Sequence, residues 1–228
     1  MNIGVLLSGC GVYDGAEIQE SVLTFLAIEE IGATYTCISI DDKQHHVVNH
    51  LTGEEVPESR NMLVEAARIA RGSIKEIKEI QPADIDALVI PGGFGSAKNF
   101  TTWAFDGPNG IIRNDVKLLI VNMINVGKPI VALCVSPVVL AKALEGSGIK
   151  LKMTIGSTNE DSPYEIPLFE VGLQATGVET LEKTVLEILV DKENKVITAP
   201  CYMMEASVLE IRNNIKQAIE ALKELLDA

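Results

Sequence analysis

Positions 130–137 read IVALCVSP, and this segment is the most informative about the fold. Four apolar residues lead into a cysteine, and a proline follows three positions later. A short apolar run of this kind predicts a strand that is buried on both faces, as in the middle of a parallel sheet. Proline suits the first turn of a helix, because its missing N–H would have no partner there. The stretch therefore predicts a strand that ends at Cys134 and a helix that begins at about Pro137.

Two other apolar strands are followed by glycine-containing turns. Positions 3–7 read IGVLL and lead into SGCG, and positions 87–90 read ALVI and lead into PGGFG. Apolar strands that alternate with helical segments indicate an α/β fold, doubly wound, with a mostly parallel sheet and helices on both faces, as in flavodoxin-like proteins. Ligands of such sheets bind at the carboxyl ends of the strands, so these turns locate the candidate site.

Spacing predicts the helices and one insertion. A helix from about residue 16 to residue 32 is expected to bury one apolar side, made of Ile18, Val22, Phe25 and Leu26. A last helix carries an apolar stripe from Val208 to Leu225. Positions 43–58 predict a small hairpin insertion, with the turn in NHLTGE at 49–54, inside a single domain of residues 1–228.

Composition excludes several classes of function. The chain has 228 residues, 47% of them hydrophobic, and a net charge of −13 at pH 7, so neither a nucleic acid nor an anionic membrane is expected as a partner. No apolar run approaches the roughly 18 residues of a membrane span, and no signal or transit peptide is expected. The four cysteines are far apart without zinc-ligand spacing, which predicts no disulfide scaffold, no metal and a reduced, cytoplasmic compartment.

Cys134 is the candidate nucleophile. A residue between a strand and a helix projects from the sheet edge, which is the geometry of a nucleophile elbow. The N-terminus of the following helix would stabilise a thiolate, so the pKa of Cys134 is expected to fall. The N–H groups of Val135 and of Gly92 or Gly93 are candidates for an oxyanion hole. The alternative is an inert cysteine in the core, where this residue type is common.

Several motifs resemble the ThiJ/PfpI superfamily, whose fold is that of the class I glutamine amidotransferases. They are GAE at 15–17, VIPGG at 89–93 and the elbow at Cys134, in that order. More closely, LSGCGVYDG at 7–15, NHLTGE at 49–54, PGGFGSAKN at 91–99 and TIG at 154–156 resemble the ElbB branch. That branch is tied by name to isoprenoid biosynthesis and is described as having glyoxalase activity. The resemblance extends from Ile3 to about Met203.

The resemblance implies a site built from Cys134 and Glu17. The further pocket residues that we expect are Cys10, Gly11, Asn99 and Ser136. Burial and a neighbouring thiolate would raise the pKa of Glu17 and let it act as general acid and base. Its alternative role is that of a solvated acid at a helix N-terminus. Cys10 is either a pocket residue or resolving thiol, or a small residue that a tight loop requires.

The histidines argue against one activity of this fold. A class I amidotransferase needs a histidine after its cysteine in the chain, whereas His45, His46 and His50 are the only three and all precede Cys134. Glutamine hydrolysis is therefore not expected. These histidines are interpreted as surface or structural residues and not as metal ligands.

Two functions remain after these exclusions. The first is a cofactor-independent, cysteine-dependent glyoxalase that converts small 2-oxoaldehydes such as glyoxal into 2-hydroxy acids such as glycolate. The second is a redox-sensing or regulatory protein in which the same thiol is oxidised with little turnover. The resemblance also implies a homodimer.

Overall fold

We describe the fold from a computed structural model of the chain, over residues 1–227. In chain order, the strands are β1 (Asn2–Leu6), β2 (Thr34–Ser39), β3 (Ile74–Glu76), β4 (Ala87–Ile90), β5 (Ile130–Leu133), β6 (Lys152–Met153), β7 (Glu179–Thr180), β8 (Leu189–Asp191) and β9 (Val196–Ala199). The α-helices are α1 (Ile18–Glu30), α2 (Met62–Ile69), α3 (Trp103–Asp106), α4 (Asn114–Asn125), α5 (Pro137–Leu144), α6 (Ile166–Ala175) and α7 (Val208–Asp227).

The main sheet has seven strands in the order β3-β2-β1-β4-β5-β9-β8. All neighbouring pairs are parallel except β8 and β9, which are antiparallel. Helix α1 packs against α7, and α4 packs against α5. This architecture confirms the predicted α/β fold with a mostly parallel sheet. Strands β6 and β7 pair separately in a two-stranded sheet.

The order of the strands places the site. The chain moves outward from β1 through β2 to β3, and then returns to the other side of β1 with β4 and β5. Such a reversal opens a crevice at the carboxyl ends of the strands on either side of it. Every residue of β4, β5 and β9 is buried, which explains why these strands are almost continuous apolar runs.

Helix α1 buries a different face from the one that we predicted. Of the expected residues only Phe25 is buried, whereas Ile18, Val22 and Leu26 are 46%, 49% and 44% exposed. The buried face is partly polar and consists of Glu20, Ser21, Thr24, Phe25, Ala27 and Ile28. The apolar spacing was misleading because the helix buries a neighbouring side, which carries Glu20 of the candidate site together with the apolar residues Phe25, Ala27 and Ile28.

The segment 43–58 contains the expected turn. The N–H of Gly53 donates to the carbonyl of Asn49 at 2.7 Å, and Val48 pairs with Glu55 in an isolated antiparallel bridge. The segment is tied to the loop after β1, because the N–H of Val48 donates to Oδ2 of Asp14 at 2.7 Å. It therefore lies next to the crevice.

The longest helix, α7, has one apolar stripe. Ile211, Ile215, Ala218 and Leu222 are buried, but Val208, which we also expected there, is 50% exposed. Within residues 1–227 no helix combines the length and the apolar character that crossing a bilayer requires.

The homodimer that the family resemblance implies stays a prediction.

Candidate active site

Cys134 occupies a strained turn between β5 and α5. Its φ is 56°, in the left-handed region that is costly for a residue with a Cβ. Its N–H donates to the carbonyl of Ala199 at 2.9 Å, which fixes the turn to the end of β9. The side chain is only 5% exposed, and α5 begins at Pro137 as predicted. This is the geometry of a nucleophile elbow.

Gly92 makes room for the cysteine. A Cβ placed on Gly92 would lie 2.3 Å from Cβ of Cys134, 2.8 Å from its Sγ and 2.5 Å from Oε2 of Glu20. Contacts this short do not occur between real atoms, so only glycine is compatible with this position. The sequence PGG at 91–93 is therefore a requirement of the site as well as of the turn.

The carboxyl group in contact with Cys134 belongs to Glu20. Its Oε2 accepts a hydrogen bond from the N–H of Gly92 at 2.8 Å, and its Oε1 accepts one from the N–H of Tyr202 at 3.2 Å. The side chain is completely buried and shares a hydrogen bond with the thiol of Cys134. Two backbone donors thus hold the carboxyl group in place against the sulfur.

Glu17, which we predicted as the acid beside Cys134, has a different role. It is the N-cap of α1, and its Oε2 accepts a hydrogen bond from the N–H of Glu20 at 2.5 Å. It lines the same small cavity as Cys134. The predicted pair of Cys134 and Glu17 is therefore corrected to a pair of Cys134 and Glu20, because α1 begins at Ile18 and not at about residue 16. Because the helix starts later, Glu17 is its N-cap, and Glu20 is the acid in its first turn.

Burial dominates the protonation of the pair. It raises the pKa of Glu20 from 4.5 to about 8, and the charge of Glu17 adds to this effect, so the carboxyl is protonated at neutral pH. Burial, followed by the charge of Glu20 when ionised, also raises the pKa of Cys134. Our expectation of a lowered pKa was wrong, because removal from water outweighs the helix N-terminus and the N–H groups that face the sulfur.

Two of the three expected oxyanion donors face the sulfur. The N–H groups of Gly93 and Val135 point at the thiol of Cys134 and lower its pKa. The N–H of Gly92 is instead bound to Glu20, so this residue positions the acid and does not donate to an oxyanion.

The four residues expected to line the pocket hold the surrounding loops. Oγ of Ser136 donates to the carbonyl of Pro91 at 2.7 Å. Nδ2 of Asn99 donates to the carbonyls of Ser8 and Asp14 at 2.8 and 2.9 Å. These two side chains join the turns after β1, β4 and β5, so they support the cavity without facing it.

Gly11 and Cys10 also lie outside the small cavity. A Cβ on Gly11 would come within 2.8 Å of the ring of His50. The thiol of Cys10 is half-buried, burial raises its pKa, and its nearest charges are Glu65 and Arg68 of α2. The charge that acts on Cys134 is that of Glu20, so the two thiols have separate surroundings.

Cys201 is the cysteine whose position relative to the site could not be predicted from the sequence. It is separated from the end of β9 by Pro200, is fully buried and has a φ of 45°. Its thiol faces the N–H of Cys134, and its own N–H donates to Oδ1 of Asn214 at 3.0 Å. All four cysteines are free thiols.

A cavity of about 10 Å³ lies over the thiol. Its walls include Glu17, Phe94, Cys134, Tyr164, Tyr202 and Met203. A volume of this size holds about one water molecule. Burial raises the pKa of Tyr164 to about 12, so its hydroxyl is a hydrogen-bond donor at neutral pH. No local signal marked Tyr164 or Tyr202, because each reaches the cavity from a distant segment.

The three histidines belong to the insertion 43–58, and none of them lines the cavity over the thiol. Nε2 of His50 lies 3.8 Å from Oδ1 of Asp14, and Nε2 of His46 lies 3.5 Å from Oε2 of Glu55. The ring of His45 packs on that of Phe105. Over residues 1–227, no group of three or more His, Cys, Asp or Glu side chains is arranged to hold a metal ion.

Comparison with known proteins places the chain among relatives that share this architecture. The model of the DJ-1/PfpI family matches residues 11–201. Human glutamine amidotransferase-like class 1 domain-containing protein 3, mitochondrial, is 37% identical over 227 residues, which are 98% of this chain and 82% of that protein. These matches bear out the resemblance that the motifs indicated.

Solved structures agree. An isoprenoid biosynthesis protein with an amidotransferase-like domain from Ehrlichia chaffeensis superposes with a TM-score of 0.90 at 34% identity, and the match covers 99% of both chains. DJ-1beta from Drosophila melanogaster has a TM-score of 0.57 at 16% identity over 99% of this chain and 93% of that one, which is a likeness of fold.

Proposed function

Because this chain belongs to the DJ-1/PfpI family, we propose that it is a cofactor-independent, cysteine-dependent glyoxalase acting on small 2-oxoaldehydes. The observation that carries the proposal is the buried pair of Cys134 and Glu20. A nucleophile with one acid fixed against it, beside two N–H donors, is a minimal set for addition to an aldehyde followed by proton transfer.

The first step is addition of the thiol to the aldehyde. In the reacting form Glu20 is a carboxylate, which its pKa of about 8 allows in a fraction of the molecules near neutral pH. As the sulfur of Cys134 bonds to the aldehyde carbon, Glu20 takes the thiol proton and passes it to the former carbonyl oxygen, so that it is a carboxylate again. The product is a hemithioacetal. The N–H groups of Gly93 and Val135 stabilise the negative charge that develops on that oxygen.

The second step is an internal redox rearrangement. Glu20, as a carboxylate, removes the proton on the hemithioacetal carbon and returns it to the neighbouring carbonyl carbon, while the proton of the hemithioacetal hydroxyl moves to the oxygen of that neighbouring carbon. The first carbon is oxidised to a thioester and the second is reduced to an alcohol, so no external oxidant or reductant is consumed. Water then cleaves the thioester, which releases the 2-hydroxy acid and restores the thiol.

The cavity sets a condition on substrate entry. A volume of about 10 Å³ is smaller than glyoxal needs, so the aromatic side chains of Phe94 and Tyr164 must turn aside when substrate enters. The two rings lie 5.4 Å apart in an edge-to-face arrangement. We expect them to act as the entrance.

The test is the formation of glycolate from glyoxal. Cys134→Ser should abolish turnover, because an alcohol is a far weaker nucleophile than a thiol. Cys10→Ser is the matched control and should retain wild-type turnover, since this thiol lies outside the cavity. Turnover that survives in Cys134→Ser, or that is lost in Cys10→Ser alone, would refute the assignment.

The size of the cavity favours a second candidate, oxidation of Cys134 by a peroxide. Hydrogen peroxide is smaller than glyoxal, so it requires less widening of a cavity that holds about one water molecule. It would convert the thiol to a sulfenic acid while one peroxide oxygen leaves as water. Mass spectrometry after mild peroxide treatment separates the two functions. Selective oxidation of Cys134 without glyoxal turnover would identify a redox sensor.

The compartment belongs to the same proposal. The four free cysteines are compatible with a reducing compartment, and we propose the cytoplasm. The human relative carries the word mitochondrial in its name, so fractionation of the source cells is the direct test.

A further inference from the structure

A second and much larger cavity lies next to the Cys134 site. Its volume is about 720 Å³, within the range of about 300–1,000 Å³ that small-molecule sites occupy. Phe94 belongs to the walls of both cavities, whereas Cys134 lines only the small one. The insertion 43–58 contributes Val48 to the large cavity. Of its lining residues, only Phe94 has a role in the function proposed above.

Its walls are mainly apolar. Aromatic side chains of Tyr13, Phe94, Trp103 and Phe169 surround it, together with Leu168 of α6. Leu168 is 69% exposed although it is a large apolar residue at the cavity. A ligand with an apolar body would cover this side chain and remove the exposed surface from water.

One charged side chain, Lys98, lines the same cavity. Its Nζ lies 5.8 Å from the centre of the Phe94 ring and donates to the carbonyl of Tyr13 at 2.8 Å. Within residues 1–227 no carboxylate oxygen lies within 4.0 Å of this nitrogen. An ammonium has three donors, so donors remain for a ligand.

The carboxylates whose charge acts on Lys98 belong to Asp14 and Glu55, and both lie more than 4.0 Å from its Nζ. Oδ2 of Asp14 accepts from the N–H of Val48, and Glu55 lies beside His46. Lys98 is thus a half-buried cation that forms no ion pair with any residue of 1–227, in a chain whose net charge is −13. A cation next to apolar walls selects for an anionic group attached to an apolar body.

We infer that this cavity binds a small amphipathic carboxylate. The apolar body lies among Tyr13, Trp103 and Phe169, and the carboxylate accepts hydrogen bonds from Nζ of Lys98. Cys134 does not line this cavity, so the ligand lies beside the thiol site and not in it.

The test uses two fluorescent probes that differ by one anionic group. Anilinonaphthalene sulfonate is an amphipathic anion, and N-phenyl-1-naphthylamine has the same rings without the sulfonate. Trp103 is the only tryptophan in the chain and lies in the cavity wall, so its emission reports on binding at this place. We expect both probes to bind saturably and to quench Trp103 over the same concentration range. Probe binding that leaves Trp103 emission unchanged would overturn the assignment.

Variants separate the anion site from the apolar walls. Lys98→Met should weaken binding of the sulfonate by about tenfold and that of the neutral probe by less than about twofold, because a charge-assisted hydrogen bond is lost. Lys117→Met removes a positive charge at an exposed position of α4 and should change the binding of neither probe. Binding of the neutral probe also shows that Lys98→Met is folded. Equal effects on both probes would contradict the inferred role of Lys98.

Competition identifies the class of ligand. Decanoate should displace the sulfonate probe at concentrations about tenfold lower than decan-1-ol, since only the acid is anionic. Ala104→Phe, which narrows the cavity at an exposed position, should abolish binding of both probes without changing alkylation of Cys134. Equal displacement by acid and alcohol would rule out an amphipathic carboxylate.

Discussion

Glu20 is the residue on which the proposed chemistry depends most. It is fully buried, yet neither of its oxygens lacks a partner, because Gly92 and Tyr202 donate to them and the thiol of Cys134 completes the set. A buried acid with a pKa of about 8 is available in both forms near neutral pH: the acid donates to sulfur, and the carboxylate accepts a proton from carbon.

The sequence analysis named Glu17, which lies three residues before Glu20, as the acid of the site. Glu17 stands in the motif GAE at 15–17, and the motif drew the assignment to it. Residues three apart in a helix share a face, so Glu20 was accessible to the same reasoning. What the sequence could not supply is the helix start at Ile18, which decides that Glu17 is a cap.

Alkylation of Cys134 should increase steeply with pH. The pair holds both protons at neutral pH, since the pKa of Glu20 is about 8 and that of Cys134 is raised further. The reactive thiolate therefore becomes populated only at a pH above the ordinary titration range of a cysteine, beyond the pH at which Glu20 ionises. Peptide mass spectrometry after short treatment with iodoacetamide at several pH values measures this rate at Cys134 alone.

The other cysteines serve as internal controls in the same digest. Cys10 is half-buried and follows its own pH dependence, away from Glu20. A rate at Cys134 that is already maximal at pH 6 and flat to pH 9 would mean that the thiolate is stabilised far more than we infer.

At the scale of elements, the turn after β4 and the turn after β5 are built for each other. Gly92→Ala should destabilise the protein by about 3 kcal/mol, because the added methyl group overlaps Cys134 and neither backbone can retreat. It should also displace Glu20 and slow the alkylation of Cys134. Urea unfolding and alkylation rates measure the two effects.

Gly127→Ala is the matched control for this variant. Gly127 has a φ of 71° at the end of α4, and a Cβ there meets no atom within 4 Å. Its cost should be only the backbone strain of about 1–2 kcal/mol, with unchanged alkylation. Equal losses of stability and reactivity in both variants would contradict the close packing described for Gly92.

The elements of the sheet were predictable where periodicity and turn residues agreed. Strand β5 covers Ile130–Leu133 and α5 begins at Pro137, as the stretch IVALCVSP indicated. Helix α6 and strand β3 were missed, since neither has a strong pattern of its own. The predicted buried side of α1 was wrong because hydrophobic spacing cannot recognise a buried face that includes polar side chains.

For the whole molecule, the buried acid links stability to pH. The pKa of Glu20 is about 8 in the folded protein against 4.5 for the free side chain, so the folded state holds a proton that the unfolded state loses between these values. Its contribution to the free energy of unfolding is fully present below about pH 4.5 and falls by about 1.4 kcal/mol per pH unit up to about pH 8.

Comparison with Glu20→Gln isolates this contribution from all other titrating groups. As pH rises from 5 to 8, the free energy of unfolding of the wild type should decrease relative to that of the variant. Urea unfolding at each pH measures the difference. A difference that is constant across this range would show that Glu20 is already ionised in the folded protein.

The most direct test of the account compares two conservative variants in glycolate formation from glyoxal at pH 7.5. Glu20→Gln cannot carry a proton between sulfur and carbon, so kcat should fall by about 10²-fold or more. Glu17→Gln loses only a charge on the helix cap and should retain kcat within about tenfold. If Glu17→Gln were the inactive variant and Glu20→Gln turned over normally, the pairing of Cys134 with Glu20 would not be the catalytic one.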